Sequence, residues 1–164
     1  MMAHATVYKT IDQVKSSAFP DATKFIPSDI SLSDAQAKAI EKQSGVRVRN
    51  KQQKVWLAMS QDKKIGWLII DEVIGKHEFI TYSTALNADG SVKLLEVMDY
   101  RETHGGQIRD PDWLKQFIGK VFGAKLKLDE DITNISGATL SCKHIADGVK
   151  RLLSTYDIVL KNQG

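Results

Sequence analysis

A single cysteine in 164 residues excludes an intrachain disulfide and a four-thiolate zinc site. No Cys-x-x-Cys-His string occurs, which excludes c-type haem attachment. Long apolar runs are missing as well. The longest, Trp67-Leu68-Ile69-Ile70, falls far short of the ~18 residues a spanning helix needs. Charge is balanced: 23 Lys and Arg against 20 Asp and Glu leave +3, too weak and too mixed for a nucleic-acid groove. Repeats, low-complexity tracts and long linkers are absent, which points to one domain. With 42% apolar and 26% charged residues, the composition is that of an ordinary globular chain rather than a disordered or fibrous one.

The apolar pattern divides the chain. Val7, Ile11, Val14 and Ala18 share one helical face, and Pro20 ends that helix. Residues 19–30 carry two prolines and read as a loop. Ser33 and Gln36 form a capping box for a second helix, Leu32 sits at the staple position, and Gly45 supplies a left-handed stop. The period then changes from 3.6 to 2. Residues 54–60, 65–74, 78–86 and 91–100 read as strands, with turns at 62–64 and 87–90. The connections are too short for crossover helices, so the strands form an antiparallel meander. Asp110 then caps a short helix with Pro111 at its first position. The last helix is expected from about Ser141, with Ile145, Val149, Leu152 and Leu153 on one face. The expected fold is α+β, an antiparallel sheet flanked by helices. A helical segment over 1–45 precedes the sheet over 46–164.

The string Ser136-Gly137-Ala138-Thr139-Leu140-Ser141 places three hydroxyls around a Gly-Ala pair ahead of that helix. A helix N-terminus offers unpaired amides and about half a positive charge, and Gly137 lets an anion approach the backbone. The plain alternative is an ordinary Ser or Thr cap.

This string resembles the covalent flavinylation motif of the FMN-binding domain family. That family includes the C subunit of sodium-translocating NADH:quinone oxidoreductase and the G subunit of the Rnf complex. The likeness extends to Gly66-Trp67 through Gly75, to the Ala88-Asp89-Gly90 turn, and to Glu102-Thr103 with Gly105-Gly106 followed by Trp113 and Gln116-Phe117. The resemblance implies FMN joined by a phosphoester to Thr139, with Ser141 as the rival acceptor. It implies a flavin transferase that uses FAD as donor, and a membrane-bound or haem redox partner. It also implies contacts to the flavin from Glu102, Thr103, Gly105 and Trp113. His104 stands where many relatives have Pro. Thr133 stands at the position often held by Asp, and Asp131 lies two residues before it. The expected function is electron transfer. The alternative is a module that binds flavin or another anion noncovalently.

Other constellations have plainer readings. Cys142 with His144 makes two ligands, too few for zinc. Ser141, His144 and Asp147 have triad spacing but lack a nucleophile turn. His77 near Asp71 and Glu72 reads as a solvated strand end. Arg47, Arg49, Lys51 and Lys54 read as a solvated face or a docking patch for an acidic partner. Trp56 and Trp67 read as core. Ala3-His4-Ala5 has the small-x-small form of a signal cleavage site, which is either accidental or the mark of an exported, periplasmic protein.

Overall fold

The computed structural model describes residues 8–102 and 106–163. Val7 and the Ala3-His4-Ala5 string lie outside the described residues. Four strands form the expected meander: β3 (Gln52–Ser60), β4 (Lys63–Ile74), β5 (Phe79–Asn87) and β6 (Val92–Asp99), each antiparallel to its neighbour. Two short strands precede them. β1 (Lys24–Pro27) and β2 (Ile30–Ser31) both pair antiparallel with β3, giving the sheet order β1-β3-β4-β5-β6 with β2 beside β3. Residues 19–30 are therefore not simply a loop. Pro27 does not prevent pairing, because β1 is an edge strand and a missing N–H on an edge removes no ladder bond. The turn expected at 62–64 is also tighter, since β4 begins at Lys63.

The helices α1 (Ile11–Ala18) and α2 (Asp34–Ser44) both start at capping boxes, Thr10 with Gln13 and Ser33 with Gln36. α2 ends at Gly45 with φ 71°, as the sequence predicts. α3 (Pro111–Leu114) is capped by Asp110 and runs into a 3-10 turn over Lys115–Phe117. α4 (Thr139–Ile158) begins two residues before its expected start.

Strand alternation sends side chains to two cores. Val55, Trp67, Ile69, Ile80, Tyr82 and Leu86 pack with Ile40 of α2 and with Ile145, Val149 and Leu152 of α4. Trp56, Ala58, Leu68, Ala85 and Met98 pack on the opposite face with Val14 and Ala18 of α1 and with Phe19. Helical cover on both faces of the sheet goes with apolar side chains on both faces of its strands. α2 is part of the first of these cores, because Ile40 is fully buried.

α4 is set on the sheet by a close approach and a buried charge. At Gly148 an added Cβ would lie 2.3 Å from the Tyr82 hydroxyl and 2.9 Å from Val73. The Tyr82 hydroxyl donates to Asp71, and Asp71 is ion-paired with Arg151 of α4. The Asp71 and Arg151 side chains are each only 11% exposed, so Asp71 is not part of a solvated strand end, whereas His77 is exposed. Burial, and then the Asp71 charge, push the Tyr82 phenol well above its ordinary range. Removing one partner of such a pair strands a buried charge, at about 3–5 kcal/mol. This network fixes both the height and the axial position of α4.

A second device sets the segment that leads into α4. The Asp131 carboxylate accepts the N–H of Leu126 at 2.9 Å and of Lys127 at 2.7 Å. Partial burial pushes this carboxyl up. The N–H groups of Lys127 and Leu126 outweigh that effect and hold it below the ordinary carboxylate range.

Gly148→Ala is expected to destabilise by about 1–3 kcal/mol in urea unfolding, the scale of overpacking. In an open helix site the same change would stabilise by about 1 kcal/mol, so the sign is diagnostic. Adding Tyr82→Phe should recover part of the loss in a double-mutant cycle. Asp131→Asn is expected to lose about 1–2 kcal/mol at pH 7, the scale of hydrogen bonds to a charged group. The Asp131 pKa is lowered in the folded chain. Its contribution is therefore complete above the unfolded carboxylate value of about 3.9 and lost as pH falls through the folded value. Unfolding curves of wild type and variant should converge in that acid range.

Candidate functional site

The segment before α4 is held from below. Both backbone groups of Thr133 are taken by side chains of the α3 region. The Trp113 indole N–H donates to the Thr133 carbonyl at 2.6 Å, and the Thr133 N–H donates to Gln116 Oε1 at 2.8 Å. Trp113 is 6% exposed and meets Phe117 edge-on at 5.3 Å. The structure thus places Trp113 beneath the segment that leads into α4, with its N–H engaged there.

The start of α4 is open. Its N-cap is Ala138, and no side chain caps the helix. The hydroxyls of the string are therefore not spent on an ordinary cap, and among the described residues no side chain is seen to cap the first turn. Gly137 has φ 85°, in the left-handed region, and an added Cβ there would meet nothing within 4 Å. Ser136, Gly137, Thr139 and Leu140 are exposed, whereas Ala138 and Ser141 are buried. The two hydroxyls weighed as acceptors are thereby separated. Thr139 Oγ1 lies at the surface and accepts a hydrogen bond from Asn134 Nδ2 at 3.0 Å. Ser141 is 4% exposed, and its hydroxyl faces the Tyr100 phenol, whose pKa it lowers against the upward push of burial.

The first turns of α4 meet one end of the sheet. The His144 Nδ1 contacts the Ile74 carbonyl at 2.6 Å, and Ile74 pairs with Phe79 across the hairpin. Glu102 closes the tip of that hairpin, where its Oε1 accepts the N–H of His77 and, at 2.6 Å, of Glu78. Partial burial pushes the Glu102 carboxyl up, but the N–H groups of His77 and Glu78 outweigh it and keep it below the ordinary range. Thr103 and Gly105, the other two residues expected near a flavin, lie outside the described residues. Phe79 and Leu140 are 59% and 47% exposed and belong to elements that meet at this end.

Competing chemistry finds no support. His144 is engaged with Ile74, and Asp147 pairs with Lys143 at 2.8 Å, so neither joins Ser141 in a triad. Cys142 is buried, and burial pushes its thiol up and away from reactivity. Among the described residues no group of three metal ligands occurs. Among them, no helix is long and apolar enough to cross a membrane. In the basic cluster, Lys51 pairs with Asp34 and Lys54 lies 5.2 Å from the Trp56 ring. Trp56 and Trp67 are buried in the core.

Sequence reasoning missed Asn134, Gln116 and the hairpin contact of His144. Each acts across a fold-dependent gap, and none has a spacing signal of its own. The chemistry of the site suits a phosphate: an uncapped helix start with its partial positive charge, and a glycine beside it that leaves the backbone accessible.

Comparison with known proteins agrees with this chemistry. Residues 75–154 match the model of the FMN-binding domain family, a span from the hairpin tip through most of α4. No curated protein matches the chain in sequence. In three dimensions it is similar to NqrC of Shewanella oneidensis, with a TM-score of 0.55 and 18% identity over 92% of this chain and 75% of that one. It is also similar to the C subunit of the Na+-translocating NADH-quinone reductase of Parabacteroides distasonis, with a TM-score of 0.57 and 13% identity over 95% and 86%. Residues 75–154 are those of an FMN-binding domain like NqrC, and the fold of the whole chain is that of these two proteins.

Proposed function

We propose that this domain is an electron carrier whose FMN is joined through its phosphate to the hydroxyl of Thr139. The observation that carries the reading is the contrast at the start of α4. Thr139 is exposed beside an open glycine and an uncapped helix end, while Ser141 is buried. An enzyme that installs the flavin reaches the first hydroxyl and not the second. When bound, FMN supplies the redox chemistry, and the protein supplies attachment and surroundings.

The chain's own residues divide that work. Gly137 and the first-turn amides of α4 receive the phosphate. The exposed Leu140 and Phe79 offer apolar surface at the same end of the sheet, and Glu102 holds the hairpin tip through the N–H groups of His77 and Glu78. The partners proposed are a flavin transferase that uses FAD and a membrane-bound or haem redox protein. A quinone-reductase complex, the setting named for the Parabacteroides neighbour, would supply such a partner. The domain is proposed to work outside the cytoplasm, in the periplasm or an equivalent space.

Co-expression with a flavin transferase tests the attachment. Intact mass is expected to rise by FMN minus water, and the yellow colour should survive denaturation and map to the peptide that holds Thr139. Thr139→Ala should abolish the gain and Ser141→Ala should retain it. Flavin released on denaturation would replace this reading with noncovalent binding.

A further inference from the structure

The hydrogen bond at Thr139 has an unusual donor. Asn134 Nδ2 donates to Thr139 Oγ1 at 3.0 Å, yet Asn134 Oδ1 at the other end of the amide is buried with no partner. Buried polar atoms in folded proteins are nearly always paired, and each exception calls for a reason. Stability is not the reason here, because a stranded acceptor loses its hydration and gains nothing. Nor is Asn134 free to turn elsewhere. Its neighbour Thr133 is clamped on both backbone groups by Trp113 and Gln116. Asp131 ties the chain just before that to the amides of Leu126 and Lys127. The fold thus holds a poorly satisfied amide against the exposed hydroxyl proposed above as the acceptor.

We infer that Asn134 is a positioning residue for the modification of Thr139, an inference that rests on Thr139 being the acceptor. A threonine hydroxyl has one O–H and two lone pairs. The Asn134 N–H occupies one lone pair and selects one side-chain rotamer from the three staggered wells. The second lone pair and the O–H remain for the reaction. In the transfer, Oγ1 bonds to the FMN-side phosphorus of FAD while the pyrophosphate P–O bond breaks. AMP leaves, and the hydroxyl proton passes to a base of the transferase. Nothing is oxidised or reduced. Asn134 takes no proton and touches no phosphorus. It raises the share of encounters in which Oγ1 is already aimed, which is the benefit of orientation.

The test uses the full chain, a flavin transferase and FAD, with incorporation followed by intact mass. For Asn134→Ala the kcat of incorporation is expected to fall about 10-fold, as loss of orientation does, with KM for the protein within about twofold. Its Tm without flavin should stay level or rise, because the stranded oxygen is gone. Asn134→Asp, of the same shape but with no donor when ionised, should lose as much. Three outcomes would overturn the inference: an unchanged kcat in Asn134→Ala, a loss that tracks a lowered Tm, or a wild-type rate in Asn134→Asp. Thr139→Ala separates the two claims. If it still takes up flavin, the proposed attachment fails, and this inference fails with it. If it does not and Asn134→Ala keeps its rate, only this inference fails.

Discussion

The seating of α4 on the sheet is the constraint on which the rest depends. Gly148 lets the helix backbone approach the Tyr82 hydroxyl, and the Asp71–Arg151 pair locks the helix along its own axis. The two contacts act on different degrees of freedom. Steric exclusion sets the distance between helix and sheet, and a buried ion pair sets the register. Moving α4 by one turn would separate two charges in a dry environment, an energy comparable with the stability of a whole domain. The first turn of the helix therefore stands at a defined place relative to the hairpin tip and to Glu102.

A rigid helix with an uncapped start is a compromise between stability and use. A Ser or Thr cap at position 138 would stabilise α4 by about 1 kcal/mol. Ala138 forgoes that and leaves the first amides for another acceptor. The stranded oxygen of Asn134 is a second concession in the same few residues. Nearby, other groups are thoroughly satisfied: Thr133 by Trp113 and Gln116, Asp131 by two amides, and Glu102 by two more. Unsatisfied groups held in place by satisfied ones are what preorganisation looks like in a binding segment.

Much of this was legible along the chain. The capping boxes at Thr10 and Ser33, the stop at Gly45 and Pro111 at the start of α3 are local devices, decided within a few residues. The four long strands follow from their period and their turns. The string 136–141 carried enough pattern to single out the start of α4 as the candidate site. β1 and β2 were not legible, because a short edge strand has weak local preference and exists only through its pairing with β3. Asp71 was misread for a related reason. Its partner Arg151 is 80 residues away, and no local pattern distinguishes a paired carboxylate from a solvated one.

The sequence by itself determined the class of the fold, the positions of its helices and long strands, and the glycine and hydroxyl string at the start of α4. Those features rest on short-range physics: backbone preference, capping and the period of apolar side chains. Only the tertiary structure decided which hydroxyl of that string meets solvent. Thr139 and Ser141 are two residues apart at the start of one helix, so their directions differ by roughly 200° at 3.6 residues per turn. The docking of α4 turns Ser141 inward toward Tyr100 and leaves Thr139 outside, beside Asn134. Burial is a property of the packed chain, and it is burial that tells these two chemically similar residues apart.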